Sequence, residues 1–192
     1  MDNNQSNLSK YQAATFSKKH ATNNYPKVQV FGTGGTISAS SKETTDVTNY
    51  QSGEFSIESI LDSVPELSDI AHLTAKQITN TSSSDINSEI LLNISNQANQ
   101  LLKSDMSGVV ITHGTNTMEE TAFFLELTAQ TTKPIVLVGA MRPATAISSD
   151  GPMNLLNAVK LAVSPSAVGR GVMIIMITSV PPISRRNPTP LR

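Results

Sequence analysis

Short β-branched runs alternate with longer segments of helical period along this chain, and that alternation is how a parallel sheet with crossover helices is written. The strand runs are Val28–Phe31, a weaker one near Leu73–Thr79, then Gly108–Thr112, Pro134–Val138 and Gly171–Met176. Between the first two, Ser56–Val64 places Ile57, Ile60, Leu61 and Val64 at spacings of three and four, with Ser56 available as N-cap. Ile86–Leu102 repeats the pattern behind Asp85, which stands in N-cap position. Thr117–Ala129 and Met153–Ala162 complete the set, the latter opened by Asp150-Gly151-Pro152. The expected fold is α/β: a doubly wound, flavodoxin-like, mostly parallel sheet with helices on both faces. No internal repeat is visible.

Strand ends carry the chemistry. Val28-Gln29-Val30 runs into Phe31-Gly32-Thr33-Gly34-Gly35-Thr36-Ile37, and Val109-Val110-Ile111-Thr112 runs into His113-Gly114-Thr115-Asn116-Thr117. Ser82-Ser83-Ser84-Asp85 follows a third strand. In an open parallel sheet all three turns lie at the carboxyl edge, where ligands bind. A threonine hydroxyl there is a poor nucleophile until a neighbour takes its proton or a preorganised pocket stabilises the oxyanion. Threonine is also common in turns for purely structural reasons; the shared sheet edge is what raises Thr36 and Thr115 above that reading. Glu119 and Glu120 fit a capping role in the first turn of the third long helix, opposing its dipole. Gly32-Thr33-Gly34-Gly35 could also cradle a phosphate, but it lacks the Gly-Lys-Ser/Thr ending of a P-loop and the third glycine of the dinucleotide fingerprint.

Composition removes several function classes. A formal charge of -1 over 192 residues supplies no basic stripe for nucleic acid and no acidic tail, so a small molecule is the expected partner. Cysteine is absent, which excludes disulfides and thiolate catalysis. His20, His72 and His113 show no metal-ligand spacing, and His113 reads as a hydrogen-bonded structural residue at the end of a buried strand. Residues 1–26 are rich in Asn, Ser, Thr, Gln and Lys and hold no apolar run long enough for a signal peptide or membrane span. They are expected to form a disordered polar tail on a cytoplasmic protein; a leader missing from this sequence would make it secreted or periplasmic instead.

Thr33-Gly34-Gly35-Thr36-Ile37 and His113-Gly114-Thr115-Asn116-Thr117-Met118-Glu119-Glu120-Thr121 resemble the two signature motifs of the bacterial-type and fungal L-asparaginases. Val138-Gly139-Ala140-Met141-Arg142-Pro143 and Ser149-Asp150-Gly151-Pro152-Met153-Asn154-Leu155 are similar to the segment that follows. The resemblance implies hydrolysis of the side-chain amide of L-asparagine, with L-glutamine as a further substrate, to the acid and ammonia without a cofactor. It assigns Thr36 as nucleophile, Tyr50 as the tyrosine of the mobile lid, Thr115 as the second catalytic threonine, and Ser83 as the residue holding the substrate α-carboxylate. Thr115, Ser84 and Asn116 complete the implied substrate site. It implies a homotetramer for the family, an assembly not expected of this chain.

The chain departs from the family pattern at identifiable places. Ser84 stands where the family has glutamine, and Asn116 where it has the aspartate that binds the substrate ammonium. The lost charge-assisted bond, about 1.5–3 kcal/mol, corresponds to roughly one to two powers of ten in efficiency. No lysine follows Lys160, although the resemblance implies one in a Lys-x-Asn-Thr segment beyond Met176. Residues 27–176 are therefore read as the family's larger amino-terminal domain, without its smaller partner, and 177–192 as an aberrant, unstructured tail. Back-translating Ile177–Leu191 and reading one nucleotide earlier permits a run containing Lys-Pro-Asn-Thr, so a shifted reading frame is the expected origin of that tail. Impaired or absent turnover is the corresponding expectation, the alternative being a remnant that binds a small amino acid without catalysis.

Overall fold

The computed structural model describes residues 14–16 and 25–176. The expected tail at 177–192, most of the expected tail at 1–26, and His20 lie outside the described residues. In chain order the elements are β1 (Ala14–Phe16), β2 (Lys27–Gly34), β3 (Ser40–Ser41), β4 (Tyr50–Gln51), α1 (Ile57–Asp62), β5 (His72–Thr81), α2 (Ser88–Leu102), β6 (Met106–Thr112), α3 (Met118–Thr128), β7 (Ile135–Val138), α4 (Gly151–Ala162) and β8 (Val172–Ile175).

The main sheet has the order β1-β5-β2-β6-β7-β8. All its pairings are parallel except β1 with β5. Counting only the parallel strands in chain order gives 2-1-3-4-5, the flavodoxin order, whose winding reverses between β2 and β6. The doubly wound expectation therefore holds. β1 modifies one part of it, because a strand lies inside the segment expected to be disordered. Ala14↔Ala75, Thr15↔Thr74 and Phe16↔Leu73 pair along the edge of β5, which would otherwise present open backbone groups. Three residues are too few to show a period in a polar context.

Both faces of the sheet are buried, and strand pleating sorts the side chains. Val28, Val30, Val110, Val136 and Val138 join Ile57, Ile60 and Leu61 of α1 and Leu155, Ala158 and Val159 of α4. Phe31, Val109, Ile111, Ile135 and Leu137 point the other way, into Ile94, Ala98 and Leu102 of α2 and Met118 and Leu125 of α3. Near-continuous apolar strands are what a sheet covered on both faces requires.

Helix starts follow local hydrogen bonding. Ser56 caps α1 as expected, its side chain accepting from the Ser59 amide at 3.3 Å. Asp85 does not cap α2: it sits in a 3₁₀ turn, Ser83–Asp85, and Asn87 is the N-cap, accepting from the Ile90 amide at 3.0 Å. The extra turn consumes the residues between the strand and the helix, so the cap moves to the next residue able to accept. Glu119 and Glu120 do lie in the first turn of α3, but neither closes a side-chain cap bond there, leaving the dipole as their contribution. No helix among the described residues is long and apolar enough to cross a membrane.

Candidate active site

Three strands that are neighbours in the sheet, β5, β2 and β6, each end in a 3₁₀ turn, at Ser83–Asp85, Thr36–Ser38 and Thr115–Thr117 respectively. The winding reversal puts these turns beside one another at the carboxyl edge, where no crossover helix closes the crevice. Gly34 and Gly35 have φ of 105° and 81°, a region that suits glycine. The turn also needs their lack of a side chain: a Cβ on Gly34 would lie 2.3 Å from the Thr81 carbonyl oxygen, and one on Gly35 2.3 Å from the Gly114 Cα. The Gly35 amide donates to the Thr81 oxygen at 3.0 Å. That bond uses a donor which a phosphate cradle would need free.

Thr33 and Thr36, on either side of these glycines, have different partners. The Thr33 hydroxyl donates to the Thr112 carbonyl at 2.7 Å, stitching β2 to β6. The Thr36 hydroxyl lies 3.0 Å from the Tyr50 phenol oxygen, and Thr36 is 6% exposed. Tyr50 reaches it from β4, which pairs with β3 in a small separate hairpin. Asp46 organises the approach to that hairpin. Its carboxylate accepts from the Asn49 and Thr48 amides and from both their side chains, at 2.9–3.0 Å, and these bonds hold its pKa far below the usual carboxylate range.

Across the crevice, the Ser83 hydroxyl sits against Gly114, where an added Cβ would lie 2.8 Å from its oxygen. Thr117 donates to the Ser83 carbonyl at 2.8 Å, and Asn116 donates to the Ser84 hydroxyl at 3.3 Å, so the turns after β5 and β6 are tied side by side. Ser83 is buried, while Ser84 and Asn116 are exposed. The Thr115 methyl approaches Gly139, where a Cβ would lie 3.2 Å from it. Its hydroxyl has no hydrogen-bond partner among the described residues.

His113 is fully buried just behind the second turn. Its Nδ1 lies 2.6 Å from the Gly114 carbonyl, which can only accept, so Nδ1 carries the proton. Nε2 then accepts from the Thr121 hydroxyl at 2.9 Å. Burial pushes its pKa below the ordinary histidine value. It is a structural residue holding the turn to α3, as read from the sequence.

Residues 27–184 match the family model described as asparaginase, N-terminal. The chain belongs to this asparaginase family. Over 184 residues it is 44% identical to L-asparaginase 2 of Bacillus subtilis, covering 94% of this chain and 48% of that protein. The glutaminase-asparaginase of Acinetobacter glutaminasificans is 46% identical over 154 residues, covering 80% of this chain and 46% of its own length. Among solved structures, a probable cytoplasmic L-asparaginase from Campylobacter jejuni superposes with a TM-score of 0.77 at 47% identity, covering 78% of this chain and 46% of that one. The chain thus spans just under half the length of the relatives it matches. The carboxyl-edge crevice lies wholly within the matched asparaginase domain.

All six residues singled out from the sequence, Thr36, Tyr50, Ser83, Ser84, Thr115 and Asn116, lie on the elements around this crevice. The structure joins Thr36 to Tyr50 and Ser84 to Asn116 by direct hydrogen bonds. Sequence reasoning missed the residues that hold the backbone in place. Asp150 reads as a helix opener, yet its carboxylate makes no cap bond. It accepts instead from the Met141 and Arg142 amides and from the Asn154 side chain, folding the loop after β7 back over the edge. An aspartate directly before Gly-Pro was the available signal, but its backbone partners lie eight and nine residues upstream. The Asn80 side chain likewise donates to the Gly53 carbonyl, joining the end of β5 to the segment after Tyr50.

Proposed function

We propose that this crevice hydrolyses the side-chain amide of L-asparagine, with L-glutamine as a second substrate, by covalent catalysis at Thr36. The observation that carries the reading is the 3.0 Å contact between the Thr36 and Tyr50 oxygens at the winding reversal of the sheet. A hydroxyl so placed can attack the amide carbon as its proton passes along the Tyr50 phenol. The carbon–nitrogen bond breaks, the nitrogen leaves as ammonia, and an ester remains on Thr36. Water then hydrolyses the ester, releasing aspartate and restoring the threonine. The Thr115 hydroxyl, without a partner among the described residues, is the donor available to the developing oxyanion, and Ser83, Ser84 and Asn116 hold the substrate's α-carboxylate and ammonium groups. The names of the Bacillus and Acinetobacter relatives support both amides as substrates.

Asn116 brings no charge to the ammonium, so turnover is slow. The deciding experiment is ammonia release from L-asparagine by the 192-residue chain beside its Thr36→Ala variant. Release by the parent that vanishes in the variant supports the proposal; equal release from both would overturn it. The neutral Asn116–Ser84 pair favours one other reading, retention of a small amino acid without turnover. Saturable aspartate binding with no ammonia release would establish that reading instead. The cytoplasm is the fitting compartment, in keeping with the description of the Campylobacter neighbour, and recovery of the chain from an extracytoplasmic fraction would overturn that placement.

A further inference from the structure

We propose that Thr145 is a positioning residue for Tyr50, holding the lid hairpin so that the phenol meets Thr36. The inference rests on the reading of Thr36 and Tyr50 as a catalytic pair. The hairpin that presents Tyr50 consists of two residues on each side, Ser40–Ser41 and Tyr50–Gln51, and belongs to a sheet separate from the main one. An isolated two-stranded ribbon is at best marginally stable in water, and one this short needs support from outside.

Thr145 supplies that support opposite Tyr50. Its hydroxyl accepts from the Ser41 amide at 2.8 Å and donates to the Ser41 carbonyl at 3.3 Å. One side-chain oxygen thus satisfies both backbone groups of a residue, as a neighbouring strand would. Ser41 is the register partner of Tyr50, so Thr145, Ser41 and Tyr50 form a continuous row across the hairpin. The Ala144 amide donates to the Ala39 carbonyl at 2.9 Å and the Ile147 amide to the Thr44 carbonyl at 3.0 Å, extending the contact along the same edge.

The loop carrying Thr145 is itself fixed. Asp150 accepts from the Met141 and Arg142 amides at 2.9–3.2 Å and from the Asn154 side chain at 3.1 Å. Asn154 also donates to the Gly139 carbonyl at 2.9 Å, from the buried face of α4. The rigidity of α4 and β7 therefore reaches Tyr50 through Asp150 and Thr145. None of this could be read locally, since Ser41 and Thr145 are 104 residues apart.

The test compares Thr145→Val, which keeps the shape and removes the hydroxyl, with Thr145→Ser, which keeps the hydroxyl. The chain is labelled with [ζ-13C]tyrosine; it has three tyrosines, and Tyr50→Phe assigns the resonance of Tyr50. With two hydrogen bonds lost, Thr145→Val should raise the undocked population of Tyr50 about tenfold, moving its resonance toward that of free tyrosine. Thr145→Ser should keep the parent position, and the Tyr25 resonance should stay put in both variants as an internal check on folding. An unmoved Tyr50 resonance in Thr145→Val would overturn the proposal, as would a serine variant that behaves like the valine one. If Thr145→Val fails to fold, the serine variant decides: a parent-like Tyr50 supports the hydroxyl's role and a displaced Tyr50 overturns it. The readout is a tyrosine ring and not ammonia. A parent chain that releases no ammonia would therefore sink the proposed function and leave Thr145 to be judged on the resonance alone.

Discussion

Gly35 and Gly114 meet backbone to backbone across the winding reversal, so closely that a Cβ on Gly35 would lie 2.3 Å from the Gly114 Cα. This contact brings the Thr36 turn against the Thr115 turn, and it exists only because both positions lack a side chain. Gly35→Ala would add a methyl group where backbone already stands, at a φ of 81° that alanine rarely adopts. The substitution should destabilise the domain by about 1–3 kcal/mol. Urea unfolding measures this, and a midpoint equal to the parent's would show that the contact is looser than described.

Within the catalytic proposal, Tyr50→Phe keeps the ring and removes only the oxygen 3.0 Å from Thr36. Loss of a proton relay typically costs on the order of 100-fold or more. The expectation is a kcat for ammonia release lower by at least that factor, with unfolding stability little changed. Undiminished kcat in the phenylalanine variant would assign the proton to another group.

Asn116→Asp tests the neutral rim. The restored carboxylate would face the substrate ammonium from the turn that opens α3, and a charge-assisted bond is worth about 1.5–3 kcal/mol. Its effect should be a 10- to 100-fold gain in kcat/KM for asparagine. Steady-state kinetics on parent and variant decide the point, and an unchanged ratio would remove Asn116 from the ammonium site.

His113 makes stability depend on pH. Burial lowers its folded pKa below the ordinary value, so between those two pKa values the unfolded chain binds more protons at this site than the folded one. Its contribution is fully present above the unfolded histidine pKa, about 6.5. It is lost as pH falls toward the folded pKa. Unfolding free energy should therefore decline from neutral pH into the mildly acidic range, and His113→Gln should decline less steeply. Parallel pH profiles for the two chains would contradict this assignment.

Short, near-continuous apolar runs marked Val28–Phe31, Gly108–Thr112 and Pro134–Val138 as strands, because a strand covered on both faces must be apolar almost throughout. Glycine-threonine turns directly after such runs likewise placed Thr36 and Thr115 at the carboxyl edge, since strand direction is a local property once the sheet is parallel. Other features escaped the sequence because they depend on structure that periodicity does not record, most of it between residues far apart in the chain. β1 is recognisable only beside β5, and the Asn87 cap only once the intervening 3₁₀ turn is seen. The Thr36–Tyr50 bond depends on a hairpin whose own four residues specify almost nothing; Thr145, in the loop that Asp150 fixes after β7, and Asn80, at the end of β5, hold it in place. Periodicity records which side of an element faces the core, so local pattern was enough to lay out the strands and the motifs on them. Hydrogen bonds between loops follow from how the chain closes on itself, and so the geometry of the site was decided by the tertiary structure.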